Sequence, residues 1–341
     1  MIDFRYHLVS IVAVFLALAI GIIVGSTAIK GPLLAGLDRV SQHELQANKS
    51  LYAHNSQLKD EISADEKFAQ AAEGSLLRGL LAGQQVVLVL APDADSTTVD
   101  GVTTALQKSG AGVTGQVVLS QQFFDTGSAN EQALKATATN LAPVGLTQPN
   151  SAPVEQISGQ QAAARLIASA IVNKDGVATL TAKASEQVLT GFGNAGFLQV
   201  KSGDDGSALP GQATMAVVVL PATVPPAKTS EPFNLALVAL AQDLQQASKG
   251  ALLVGPLKGS GPRSAIDAVR GGVDGVQLTT VDNAETVVGQ IVVVQALNKL
   301  LTGAATTAYG VRPQTVPSPA PSASPSPSAS PSHPSRKKTR R

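Results

Sequence analysis

From Leu8 to Ile29 the chain runs 22 residues without a charged side chain. A helix rising about 1.5 Å per residue crosses a hydrocarbon core roughly 30 Å thick in that length. The run therefore predicts one membrane-spanning helix, residues 8–29, after a short leading segment, residues 1–7. Phe4, Arg5 and Tyr6 suit an interfacial anchor, with rings at headgroup depth and a cation in water. A cleaved signal peptide is the competing reading, because Ser26 and Ala28 mimic a cleavage site. Against it, a signal's apolar region spans roughly 7–15 residues and starts with more basic charge than Arg5 beside Asp3. Lys30 and Arg39 follow closely on the far side, so basic residues do not decide orientation; the segments downstream favour the amino terminus inside.

Within the span, Ala13, Ala17, Gly21 and Gly25 recur at every fourth place, setting one helix face of small residues with a GxxxG step. Such a face lets a second helix approach closely, although an Ala- and Gly-rich chain also produces it by composition. The stretch at 34–74 is polar and, from Gly36 to about Gly74, breaker-free, and Leu37, Leu51, Leu58 and Ala72 are separated by multiples of seven. With these at d, Leu34, Asn48, Asn55 and Ile62 fall at a, where a buried Asn selects a parallel dimer. Glu44 and Asp65 also fall at d, so the register is imperfect. The stalk and the small face predict the same symmetric pair, a parallel homodimer, or a hetero-partner held through the stalk. A single amphipathic helix packed on its own domain is the alternative.

After Gly83 the composition changes to apolar runs alternating with helical patterns. Strands are expected at "VVLVLAP", "VTGQVVL", "FLQV", "AVVVLPA", "ALLVGP" and "VQLTTVD", beginning at Val86, Val113, Phe197, Ala216, Ala251 and Val276. Helices are expected near 96–109, 159–173, 234–249, 263–270 and 285–301. Strands that are apolar throughout imply a largely parallel sheet covered on both faces, hence an α/β domain at 83–311. Two similar halves divided near 142–158, a stretch with Pro143, Pro149 and Pro153, are the other organisation considered. Residues 312–341 form a disordered, Pro/Ser-rich tail that cannot build a core. Its end, "RKKTRR", carries Arg336, Lys337, Lys338, Arg340 and Arg341, suited to weak, salt-dependent contact with an anionic wall polymer or lipid surface, or simply to solubility.

The same residues limit the chemistry. There is no cysteine, so disulfides, thiolate metal sites and a cysteine nucleophile are excluded. The four histidines, His7, His43, His54 and His333, all lie outside the α/β domain, so neither a Ser-His-Asp triad nor an imidazole metal site can be assembled there. His43 and His54 return to nearly one helix face but about 16 Å apart, too far to share an ion. Each could meet its symmetry mate in a parallel dimer; a solvated surface is the plainer role. Met215 beside a strand reads as core. A net charge of +1 gives no polyanion-binding face, so no nucleic-acid partner is expected.

Gly255, Gly259 and Gly261 stand between a predicted strand and helix, where backbone N–H groups can cradle a phosphate. The loop matches neither GxGxxG nor a P-loop, and a tight connection needs glycine anyway. In "TVDNAE", Asp282 reads as a helix cap with Glu285 returning the bond. Asp93 and Asp282 both end strands, a pattern too common to declare a metal site.

"DFRYHLVSIVAVFLALAIGIIVGS" at the start, "TTVDNAETVVGQIVVVQAL" from Thr279 and "AYG" at Ala308 resemble the actinobacterial family of mycobacterial copper transport protein B, from Met1 to about Tyr309. The resemblance implies an envelope protein linked to copper resistance, with copper as a transported ion and no cofactor, and a pore proposed through the mycobacterial outer membrane. For corynebacterial members it implies cell separation, through a membrane partner and a coiled coil acting on a peptidoglycan hydrolase. It supplies no catalytic residues. A water-filled barrel needs many strands of alternating polarity with aromatic girdles, whereas this chain has 3% aromatics and solidly apolar strands. The expectation is a non-enzymatic, single-pass envelope protein, favouring the inner membrane, with most of its chain outside the cytoplasm.

Overall fold

The computed structural model describes the backbone of residues 4–143, 157–174, 180–203 and 212–319, with side chains except at residues 4, 5, 26–43 and 274. Most of the proline-bearing stretch near 142–158, the tail from residue 320, and the side chains of Leu37 and His43 lie outside the described residues. The chain divides into two compact units, Met1–Lys67 and Phe68–Arg341.

The first helix, α1 (Phe4–Leu77), is 74 residues long and contributes to both units. In the first unit it carries the apolar segment Tyr6–Gly25, none of which is buried. In the second unit its last turns bury Ala69, Glu73 and Leu77, a stripe at spacing four that faces the α/β domain. There Glu73 Oε2 accepts from Lys108 Nζ at 2.6 Å, and the Leu81 N–H donates to the Ser109 carbonyl just beyond.

The rest of the second unit contains β1 (Gln85–Leu90), α2 (Ser96–Lys108), β2 (Gly112–Leu119), α3 (Ser128–Leu141), α4 (Gly159–Ile171), α5 (Ala182–Asn194), β3 (Leu198–Ser202) and β4 (Met215–Val219). It continues through α6 (Ser230–Ala247), β5 (Ala251–Val254), α7 (Ala265–Arg270), β6 (Thr279–Val281), α8 (Val287–Leu301) and β7 (Ala308–Tyr309). One seven-stranded sheet runs in the order β3-β2-β1-β4-β5-β6-β7. Every pairing is parallel except β2 with β3, where Leu119 faces Leu198 in antiparallel register. The largely parallel α/β sheet read from the sequence is present.

Alternation along the strands explains why they are apolar throughout. Val87, Val89, Ala216, Val218 and Leu253 enter one core with α3 to α7, while Val86, Leu88, Val217, Leu252 and Val254 enter a second core with α2, α8, Leu77 and Leu81. Met215 is buried in the second core, as its place beside a strand suggests. Fully burying such side chains contributes about 1.5–3 kcal/mol each, so neither sheet face can be left bare. Three elements fall outside the sequence reading. The helix α3 buries only Leu134 and Ala138, too few apolar positions for a clear period, whereas α5 buries Val188, Leu189 and Phe192 at helical spacing and is in that respect as amphipathic as α4. The two-residue β7 is specified by tertiary bonds rather than local pattern.

Candidate functional site

The strand order reverses between β1 and β4, the place where open α/β sheets leave a crevice at their carboxyl ends. Such a crevice is present, with about 350 Å³ of space. Its rim is built by the loops after these two strands: the Ala222 N–H donates to the Asp93 carbonyl at 2.8 Å, and Ala94 pairs with Pro221. Asp93 sits in the left-handed region at φ 58, and its Oδ2 accepts from Gln121 Nε2 at 3.0 Å. The floor is aromatic. Phe124, from the 3-10 turn Gln121–Phe124, stacks on Phe233 of α6 with ring centroids 4.1 Å apart.

Two carboxylates, Asp93 and Asp125, line the crevice, and among the described residues no lysine or arginine does. Although α6 begins here, it offers little to an anion: the Ser230 N–H already donates to the Pro226 carbonyl at 2.9 Å, and Pro232 has no N–H. Such a lining suits neutral or cationic groups better than anions. Its residues are drawn from positions 92–93, 121–125 and 221–233, and no local motif joins them.

The glycine-rich loop lies two strands away from β1, after β5. A Cβ on Gly259 would strike the Pro221 carbonyl and one on Gly255 would lie 2.9 Å from Ser260 Oγ, so close packing accounts for both glycines. At Gly261 a Cβ would come within 3.4 Å of the Arg312 guanidinium, which donates to the Leu257 carbonyl, while the Leu257 N–H donates to Glu285 Oε1 at 3.1 Å. The following helix α7 has only six residues, with its first turn capped by Ser264.

Asp282 does not cap a helix. The cap of α8 is Thr286, whose hydroxyl accepts from the Gly289 N–H at 3.0 Å. Asp282 is fully buried instead, and its Oδ2 lies 2.6 Å from Arg270 Nη1. A buried carboxylate demands a paired cation far more than a helix start demands this particular cap. Arg270 also donates to Thr280 Oγ1 at 3.0 Å and to the Tyr309 carbonyl at 2.9 Å, while Asp282 Oδ1 accepts from the Val311 N–H at 2.9 Å. The "TTVDNAE" and "AYG" stretches are thereby two sides of one clamp holding β7 to β6. Asp93 and Asp282 end strands three positions apart in the sheet and are not brought together. Among the described residues no group of three or more His, Asp or Glu side chains forms a metal-binding cluster.

One carboxyl is electrostatically perturbed. Burial pushes Asp243 on α6 up to about 6, against the opposing pull of the Arg165 guanidinium on α4. In the first unit, Asn48, Leu51, His54, Asn55, Leu58 and Ile62 are all exposed on α1 in a single chain. Ala13, Ala17 and Gly21 are exposed too, and a Cβ on Gly21 or Gly25 would meet no atom within 4 Å.

The model of the family described as "Copper transport outer membrane protein, MctB" matches residues 1–319, from the apolar segment through the clamp. The chain belongs to this family. It is 28% identical over 312 residues to the protein named "Copper transporter MctB" of Mycobacterium tuberculosis and likewise to that of Mycobacterium bovis, covering 91% of this chain and 96% of the relative in each case. The protein of the same name in Mycobacterium leprae is 31% identical over 314 residues, again 91% of this chain and 96% of the relative. In this member of the MctB family the sheet is open at β3 and β7 and covered by helices, the opposite of the closed, two-faced strands of a transmembrane barrel. Residues 320–341 lie beyond the family match.

Proposed function

We propose that this chain acts in copper homeostasis as a single-pass protein of the cell envelope, without catalysis and with copper as cargo rather than a resident cofactor. The family match across residues 1–319 carries this reading, and the relatives are named as copper transporters. The apolar segment Tyr6–Gly25 supports anchoring by a helix, which favours the inner membrane with the α/β domain outside the cytoplasm. The domain would work by recognition through its crevice. Deleting the gene should raise intracellular copper under copper load, restored by the full chain; unchanged copper would refute the assignment. Fractionation that placed the tagged chain in the outer membrane would overturn the anchoring.

A second reading follows from the exposed apolar side chains of the stalk, Leu45, Leu51, Tyr52, Leu58 and Ile62. These suit a parallel homodimer or a coiled-coil partner, and a scaffold that governs a peptidoglycan hydrolase would use them. Chained cells with normal copper would favour it over transport. A phosphate- or nucleotide-binding role rests only on Gly255, Gly259 and Gly261, and a full chain showing no thermal shift with nucleotides would end it.

A further inference from the structure

We propose that the crevice between the β1 and β4 loops is a docking site for this chain's own proline-rich, basic segment, residues 320–341. The occupant is argued from the lining, the charge and the reach.

Polyproline segments dock in grooves walled by aromatic rings, with acidic side chains reading the flanking Arg or Lys. The crevice offers a version of that surface: Phe124 and Phe233, 7% and 6% exposed, stack beneath it, and Pro225 and Pro226 contribute its more open apolar wall. Asp93 and Asp125 are exposed at the rim. Residues 320–341 contain five prolines, no acidic residue and the five basic side chains of "RKKTRR". The charges are complementary, and Lys228, exposed beside Thr229, is outside the lining.

The described chain runs to Pro319, three residues past Val316. Val316 is held beside β7, its N–H donating to the Ala308 carbonyl at 2.9 Å. Arg312 lies against Gly261, whose Cβ position is also 3.7 Å from Val224, a residue of the crevice wall. β7 and β4 are three strand spacings apart, about 15 Å. Twenty-two residues span roughly 70 Å as an extended polyproline helix, or about 25 Å root-mean-square as a flexible chain. Either reach covers the gap, and tethering at this length gives an effective concentration near millimolar, so even a weak contact is populated. A ligand competing for the crevice would then have to displace the segment, making the tail a built-in competitor.

The test uses the full chain and a version ending at Pro319, both in detergent micelles, titrated with a fluorescent peptide of residues 320–341. Saturable binding to the shortened chain is expected, at least tenfold weaker to the full chain, whose own segment competes. Asp93→Asn with Asp125→Asn should weaken the peptide at least tenfold. Asparagine tolerates the left-handed backbone at position 93, so folding is not at issue there. Thr223→Arg, an exposed rim change, should do the same independently. A peptide with the basic residues replaced by serine, and one of the same composition with the prolines redistributed, should each bind at least fivefold more weakly. The proposal is overturned if the shortened chain binds no peptide up to millimolar concentration, or if the redistributed peptide binds equally. Binding unaffected by both the Asp93/Asp125 and the Thr223 variants would overturn it too. Peptide captured by anionic vesicles and not by the shortened chain would assign the segment to a lipid surface instead.

Discussion

Arg270 and Asp282 form an ion pair of 2.6 Å, closed from solvent on the carboxylate side, at the point where β6 hands over to β7. The remaining hydrogen bonds of both side chains go to Thr280, Tyr309 and Val311, so the pair fastens the two-residue last strand to the sheet. Removing one partner leaves an uncompensated buried charge, which costs about 3–5 kcal/mol. Arg270→Met should therefore lower the thermal midpoint by roughly 6–12 °C for a unit of this size, read by circular dichroism. A change under 2 °C would show the pair to be incidental.

Gly310 belongs to the same clamp. Its φ is 137, and a Cβ there would collide with Asp282 Oδ1. Gly310→Ala should destabilise by about 1–3 kcal/mol, and the double variant with Arg270→Met should lose less than the sum, because both act on one contact. Strict additivity in urea unfolding would separate the two residues.

Asp243 makes stability depend on pH in a defined direction. Its folded value of about 6 stands above the ordinary 3.8, so the folded chain holds this proton more tightly than the unfolded one. The contribution is complete below about pH 4, declines between 4 and 6, and is gone above 6. Asp243→Asn should flatten that decline and raise stability at pH 7 by on the order of 1 kcal/mol. Parallel curves for the two proteins would exclude Asp243 as the source.

The join between the end of α1 and α2 depends on Glu73 and Lys108. The Glu73 side chain is only 4% exposed, whereas that of Lys108 is 43% exposed. Lys108→Met strands the buried carboxylate and should cost about 2–3 kcal/mol, more than Glu73→Gln, which removes the charge that needs a partner. Proteolysis after Lys67 should accelerate in step with that loss; equal sensitivity of both variants would contradict the asymmetry.

For the apolar segment, a Cβ at Gly21 or Gly25 meets nothing within 4 Å in a single chain, so Gly21→Leu with Gly25→Leu probes association rather than the fold of one chain. Crosslinking between engineered cysteines in the segment should fall several-fold if the small face is an interface. An undiminished dimer would reduce the spacing of four to composition.

What the sequence by itself determined is everything written in local period. The uncharged run Leu8–Ile29 gives the apolar helix, and the fully apolar strands at Val86, Ala216 and Ala251, with the mostly apolar one at Val113, give a covered parallel sheet. Each follows from burial of one chain segment in one environment, so neighbours a few residues apart carry the signal. What only the tertiary structure decided is where distant residues meet. Asp282 satisfies a cap pattern locally, yet it is the guanidinium of Arg270 that claims it, because an ion buried without its partner is far costlier than an exchanged cap. The crevice likewise exists only once the reversal of strand order sets Asp93 beside Gln121 and Phe124 on Phe233. Periodicity records which face of an element is buried; it holds no record of which element is buried against it.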